Sequence, residues 1–323
     1  MGKTKAMTEE SFLKTFAKGH GNAIIFLFIW VLAMLFVDNF ATFNNNLNII
    51  RQAAIPMIAC IGMTFVLITG GIDLSLGFVF GLCSYIFGVL AVMWEWPLLL
   101  AFATMLVIGG LCGLLNGVLV CAFKIPPFIV TLGTGFVFFG FAQIISGGSA
   151  QHHLPAHVLA LGRREFFGLP ASVYFAIAVI IVFYIILHRG TFGRALAFLG
   201  CNVGASRLSG INTNRITIMA YVICSALTAL AAMLMTARVN SASPILGGSS
   251  FTFETITAAI LGGASLRGGI GSVPGSVLGV LTIVTIGNCI NLLGISFFVY
   301  EAALGIVILF ALIFEKVKNR VLQ

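Results

Sequence analysis

Ten apolar runs, each bounded by polar residues or by Gly and Pro, divide this chain between residues 22 and 314. They cover 22–37, 52–69, 75–93, 97–122, 127–146, 171–188, 216–237, 253–267, 273–291 and 297–314. A helix needs about 20 apolar residues, within a range of roughly 17–25, to cross the hydrocarbon core of a bilayer. In that core no water is available to the backbone, so every N–H and C=O must be paired inside the protein. The expected fold class is therefore all-α: a polytopic integral membrane protein of about ten transmembrane helices. The eighth run is short and contains Glu254.

Composition supports this reading over the one or two soluble domains that 323 residues would suggest. Apolar residues make up 60% of the chain and charged residues only 8%, against about 25% charged in a soluble domain. The mean hydropathy is +1.13. The net charge of +8 does not point to nucleic acid, because the basic residues cluster at the chain ends and in a few loops. The seven cysteines form no C-x-x-C pair and lie mostly within apolar runs, as small apolar fillers. Gly109, Gly113 and Gly117 recur at i, i+4 and i+8 on one helix face, which favours close packing against a second helix.

Orientation follows from the basic residues, which concentrate on the cytoplasmic side of membrane proteins. With ten alternating spans and a cytoplasmic N-terminus, Arg51, Arg163, Arg164 and Arg238 fall outside. The other 13 of the 17 Lys and Arg residues fall inside, and both termini are cytoplasmic. Residues 1–21 form an N-terminal segment without a cleavable signal peptide. Phe12, Leu13, Phe16 and Ala17 within it repeat at helical spacing, which makes 8–18 a candidate interfacial helix. Residues 22–314 form a single transmembrane domain, and 315–323 a cytoplasmic tail. The loop 147–170 lies outside, as a lid or a receptor-facing surface. The loop 188–215 lies inside; its Leu196, Phe198, Leu199, Leu208 and Ile211 imply one or two short surface helices on which a partner docks.

Two glycine-rich interruptions carry the strongest local signals. In LITGGIDLSLG (67–77) the pair Gly70-Gly71 breaks the second run, and Asp73 and Ser75 stand where the next helix begins. A carboxylate there can accept from the N–H of Ser75 or Leu76 and suits the positive helix end. An ionisable group near membrane depth also marks transport pathways. LGGASLRGGIGS (261–272) repeats the theme with Gly262 and Gly263, and paired interruptions are a pointer to translocation sites in transporters. Asn116 is polar in mid-span, and Glu254, which precedes a run of apolar and small residues, is either a cap after Thr252 or a residue of the pathway. His152, His153 and His157 sit in a loop with no carboxylate or Cys at ligand-like spacing, so no metal site is expected. No Walker A, G-x-S-x-G or H-E-x-x-H pattern occurs, which argues against an enzyme.

Four segments in order, TGGIDLSLG (69–77), KIPPFIVTLGT (124–134), GCNVGASRLSGI (200–211) and ILGGASLRGGIGS (260–272), resemble the permease subunit of bacterial carbohydrate ATP-binding-cassette importers. This is the ribose, xylose, galactoside and autoinducer-2 group, and the resemblance extends from about residue 50 to 315. It implies a multi-pass protein of the bacterial inner membrane that carries a monosaccharide such as ribose into the cytoplasm. Its implied partners are two ATPase subunits that hold ATP and Mg, a periplasmic sugar-binding protein, and a second permease subunit, identical or related. No cofactor is implied in this chain. Asn202, Ala205, Arg207, Gly210 and Ile211 match the segment that couples to the ATPase, whereas Val203 and Gly204 stand where the family commonly has acidic residues. Arg267 comes a few positions earlier than the family's Arg. A neutral, hydroxyl-rich solute suits a pathway of Thr64, Thr69, Asn116, Thr131 and Thr257. The rival reading is an ion-coupled secondary transporter, for which Asp73, Glu254 and Glu301 would be the available intramembrane carboxylates. Branched amino acid permeases would share the fold, with poorer motif matches.

Overall fold

The computed structural model describes residues 9–296, 298–307 and 309, with side chains from residue 21 onward. The chain is a helical bundle, and seven of its helices among the described residues are long and apolar enough to cross a membrane. The first helix, α1 (Glu9–Phe36), runs unbroken from the N-terminal segment through the first expected span. Next come α2 (Phe43–Ile68), α3 (Leu76–Gly88) prolonged by a π-helical turn at Val89–Met93, α4 (Leu98–Phe123) and α5 (Pro127–Ser146). The second half holds α7 (Ala171–His188), α10 (Thr213–Val239), α11 (Gly248–Leu261), α12 (Val273–Leu292) and α13 (Phe298–Val307). The remainder of the tenth expected span, and the tail 315–323, lie outside the described residues.

Both long loops are structured. In 147–170, strand β1 (Gln151–His152) is followed by α6 (Ala156–Arg163) and a short hairpin of β2 (Glu165–Phe166) and β3 (Leu169–Pro170). Strand β1 pairs antiparallel with β4 (Ser241–Ala242), just after α10. The loop 188–215 forms two short helices, α8 (Thr191–Cys201) and α9 (Val203–Leu208).

The two ends of the bundle are chemically distinct. At one end Arg51 pairs with Glu165 at 3.1 Å, and Arg238 donates to the Arg51 carbonyl at 3.0 Å. Arg163 donates in turn to the Arg238 carbonyl at 2.9 Å. Three of the four basic residues expected on the outer side thus meet at one end. The breaks 69–75 and 262–272 and the pair α8–α9 meet at the other.

Helices α2 and α10 form the centre, with 83% and 67% of their apolar windows buried. By contrast α4, α5 and α7 bury 28–33% of theirs and present Leu, Ile, Val and Phe outward. An all-round apolar helix of this kind requires lipid or another subunit around it. The glycine face of α4 packs as its spacing predicts. A Cβ at Gly109, Gly113 or Gly117 would overlap α10 at Ser225, Tyr221 or Ile218.

The eighth span departs from expectation. It is a 14-residue helix beginning at Gly248, not 253, and it ends at Leu261. At 1.5 Å per residue that is about 21 Å, short of the roughly 30 Å hydrocarbon core. The missing length is non-helical. Residues 241–247 run along α3, with Ala242 beside Gly88 and the Pro244 carbonyl beside Gly81. The Gly248 carbonyl lies against Gly77. A side chain on Gly77 or Gly81 would collide with these carbonyls, so the glycines of α3 admit a bare strand of backbone. Apolar periodicity is blind to this, because Ala242, Pro244, Ile245 and Leu246 are as apolar in an extended segment as in a helix.

Candidate functional site

The first break ends α2 with Gly70 at φ +81°, a conformation that favours glycine, and its N–H returns to the Leu67 carbonyl at 2.9 Å. The chain then turns back into the bundle before α3 starts. Asp73 has no exposed surface there. One carboxylate oxygen accepts from the Ser75 N–H at 2.9 Å and from its hydroxyl at 2.6 Å, which is the cap that the sequence suggests. Asn116 donates to the Ser75 hydroxyl at 2.8 Å, and Thr134 donates to the Asn116 side-chain oxygen at 2.5 Å. The bonds run from Thr134 to Asn116 to Ser75 and end on the accepting Asp73, so each polarises the next toward the carboxylate. Thr131 accepts from the Leu74 N–H at 3.0 Å and donates to the Ile72 carbonyl at 3.2 Å. Asn116 lies two turns inside α4, about 10 Å from its end. The break is therefore not a boundary turn but a re-entrant segment: α4 and α5 meet the Ser75 hydroxyl, the Leu74 N–H and the Ile72 carbonyl, whereas Oδ2 of Asp73 is buried with no hydrogen-bond partner among the described residues.

The second break folds on itself, with the Ser265 N–H donating to the Ile270 carbonyl at 3.0 Å and the Gly268 N–H to the Ser265 carbonyl at 3.1 Å. Gly268 and Gly269 have φ of +87° and +77°. The Gly269 N–H donates to the carbonyl of Ile68, the last residue of α2, at 2.8 Å. Gly200, near the end of α8, is wedged at the same point. A Cβ there would overlap both the Ile68 carbonyl and the Gly269 amide. The two glycine interruptions thus touch each other, and the 188–215 segment touches both. Gly262 packs against Gly275 of α12, and Gly263 at φ +87° approaches Asn22 of α1.

Within that segment Asn202 caps α9 by accepting from the Ala205 N–H at 2.9 Å, and the Ile211 N–H donates to the Ser206 carbonyl at 3.0 Å. Gly210 turns with φ +78°. Leu196 and Leu199 bury one face of α8, whereas Asn202, Arg207 and Gly210 are exposed and Leu208 is 92% exposed. Arg207 also donates from Nε to the Thr213 hydroxyl at 3.3 Å.

Other residues singled out from sequence are placed as follows. Thr64 is buried and bonded to Ser276 of α12 at 2.7 Å. Thr257 is buried and donates to the Phe253 carbonyl at 2.6 Å. Thr131 and Asn116 belong to the Asp73 network. Thr69 reaches an open cavity beside the junction. Glu254 lies in a second cavity of about 230 Å³ with Ser250, Phe253, Tyr300 and Glu301. There its carboxyl meets the Tyr300 hydroxyl, and Ser250 donates to Glu301 at 3.1 Å. Gly200, Tyr221, Thr134 and Ser276 were not legible as site residues. Thr134 alone had a signal, since it follows Thr131 at i+3 on the same helical face.

The profile of a permease family, described as branched-chain amino acid transport system / permease component, matches residues 45–314. The ribose import permease protein RbsC of Bacillus subtilis is 37% identical over 296 residues, covering 91% of each chain. The L-arabinose transport system permease protein AraH of Escherichia coli is 35% identical over 304 residues, covering 93% of this chain and 91% of that one. The autoinducer 2 import system permease protein LsrD of Klebsiella pneumoniae is 35% identical over 257 residues, or 76% and 77% of the two chains. No solved structure matches. The chain is a multi-pass membrane protein that belongs to this permease family, within the carbohydrate importer group that its two glycine breaks and its 200–211 segment resemble.

Proposed function

We propose that this chain is the membrane-spanning subunit of an ATP-driven importer of a monosaccharide, with ribose or a ribose-like sugar as the solute. ATP and Mg are held by partner ATPase subunits that dock on α8–α9 at the cytoplasmic end of the bundle. A periplasmic binding protein delivers the sugar to the opposite end, and a second permease subunit completes the pore in the inner membrane.

One observation carries the mechanism: Gly200 of α8 sits against both the Ile68 carbonyl and the Gly269 amide. A force applied to α8–α9 by the ATPase reaches both membrane breaks through backbone contacts, with no side chain to absorb it. ATP binding then biases the outward- and inward-open states by its differential affinity for them. The solute path is supported by the segment before α11. Ile245 is exposed in that segment, which runs along α3, and Ser249 and Ser250 are exposed in the first turn of α11 that follows it. Such backbone is tolerated at membrane depth only inside protein or beside water. The neighbouring Ser250, Glu254, Tyr300 and Glu301 offer hydroxyl-binding groups.

Reconstitution of the permease with its ATPase and binding protein in proteoliposomes tests this reading. The expected result is sugar uptake that requires internal ATP, with ATP hydrolysis stimulated by the loaded binding protein. Uptake driven by an ion gradient in the absence of the ATPase would replace the proposal with a secondary transporter. The variant Arg207→Glu is expected to reduce ATPase co-purification while leaving membrane insertion intact; unchanged co-purification removes Arg207 from the coupling surface.

A further inference from the structure

A cavity of about 330 Å³ lies between the first break, the turn joining α4 to α5, helix α9 and the first turns of α10. Its volume falls at the lower end of the roughly 300–1,000 Å³ of sites that hold small molecules. Two of its walls carry cations. Lys124 closes α4 in a left-handed conformation, φ +54°, immediately before Ile125-Pro126-Pro127, so its position is set by rigid backbone. Arg207 stands across the cavity on α9. Among the described residues no Asp or Glu lines the cavity.

The rest of the lining mixes polar Thr69, Thr217, Asn214 and Tyr221 with apolar residues such as Val120, Ile125 and Leu199. Tyr221 is the informative member. It has no exposed surface, and its hydroxyl has no hydrogen-bond partner among the described residues. A buried hydroxyl without a partner is costly, and it persists where a ligand or water supplies the missing bond. Here Tyr221 is part of the wall of a cavity with two cations, its hydroxyl held beneath the surface beside Gly71.

We propose that this cavity binds a phosphate group carried on a polyol. The guanidinium and ammonium hold the phosphate oxygens, and the hydroxyls and the Asn214 amide hold the polyol. Arginine offers a fork that matches phosphate geometry, and lysine adds a point charge. Two sources have this chemistry: a free sugar phosphate from the cytoplasm, or the glycerol-phosphate headgroup of an anionic lipid. Basic pockets between transmembrane helices are known to take such headgroups. Either ligand would bridge α9 to the first break and so hold the junction in one arrangement. The site would thereby regulate transport by sensing phosphorylated sugar or the lipid around the protein. The proposal does not depend on which solute the pore carries.

The test uses the full chain in phosphatidylcholine nanodiscs, titrated calorimetrically with ribose 5-phosphate, inorganic phosphate and ribose. In parallel, protein extracted from membranes containing phosphatidylglycerol is examined by native mass spectrometry for retained lipid. Lys124 is exposed, so Lys124→Gln preserves the fold. It should weaken binding of the phosphorylated probe about tenfold, or about 1.4 kcal/mol. Thr217→Val and Tyr221→Phe should each weaken it by a smaller factor, and ribose should not compete. Saturable binding of ribose 5-phosphate identifies the free source, and phosphatidylglycerol lost on Lys124→Gln identifies the lipid source. The proposal is overturned if neither ligand binds or if binding ignores Lys124 and Tyr221. It is equally overturned if Lys124→Gln weakens only ATPase co-purification, since the cavity would then receive a partner's side chain.

Discussion

The two glycine interruptions read alike in sequence, and the bundle treats them in opposite ways. The first, 69–75, turns inward, where Asn116 and Thr131 from two other helices bond Ser75 and Leu74 and Thr134 supports Asn116. The second, 262–272, closes mainly through its own backbone and leaves Arg267 and Ile270 exposed. The difference follows from what can be buried. A buried carboxylate is costly without donors, and Asp73 has them on one oxygen only, from Ser75, which Asn116 and Thr134 support in turn. Arg267 has no such constraint because its side chain stays at the surface. What the breaks share is the backbone contact between Ile68 and Gly269, with Gly200 wedged against it.

If that shared contact is what the breaks exist to form, Gly200→Leu should have the largest effect. The added side chain meets backbone on two sides, and overpacking of this kind costs about 1–3 kcal/mol or more. ATP-dependent uptake should fall to background while the protein still inserts, as read by transport assay and thermal unfolding in detergent. Normal uptake by this variant would separate the junction from transport. Asp73→Ala should come next. It leaves the Ser75 N–H and hydroxyl without their acceptor and should destabilise the fold by about 2 kcal/mol, with Asp73→Asn milder. A stability unchanged in Asp73→Ala would make the two breaks energetically equivalent. Arg267→Ala should have the smallest effect, within about 0.5 kcal/mol, as for an exposed residue away from any network. A loss as large as that of Asp73→Ala would mean that Arg267 has a binding partner.

Much of the fold is legible in the residues. Eight of the expected runs coincide with helices to within a few residues or extend into longer ones, and the described part of the tenth is helical, since apolar length is enforced by the bilayer whatever the packing. The two short helices of 188–215 were also visible, as was the hydrogen bond from the Ser75 N–H to Asp73. The eighth run was misplaced because an extended segment packed on glycines carries no periodic signal. The candidate site was legible in parts. Gly70, Asp73 and the 200–211 motif were each visible, but Gly200 gave no sign of being the contact between the breaks. Tyr221 looked like one more large residue in an apolar span.

The sequence alone determined that this chain lives in a membrane as a bundle of about ten helices, because apolar runs of that length have no other stable solvent. It also pointed to where most of the helices stop, because paired glycines weaken a helix and charges resist burial, although the eighth run was carried past Gly262 and Gly263 whereas its helix ends at Leu261. Only the tertiary structure decided that the two stops touch, that Asp73 lies inside rather than at the edge, and that Lys124, Arg207 and Tyr221 share one cavity. Those facts depend on which backbone approaches which across hundreds of residues, and close approach is set by the packing of whole helices rather than by any local pattern.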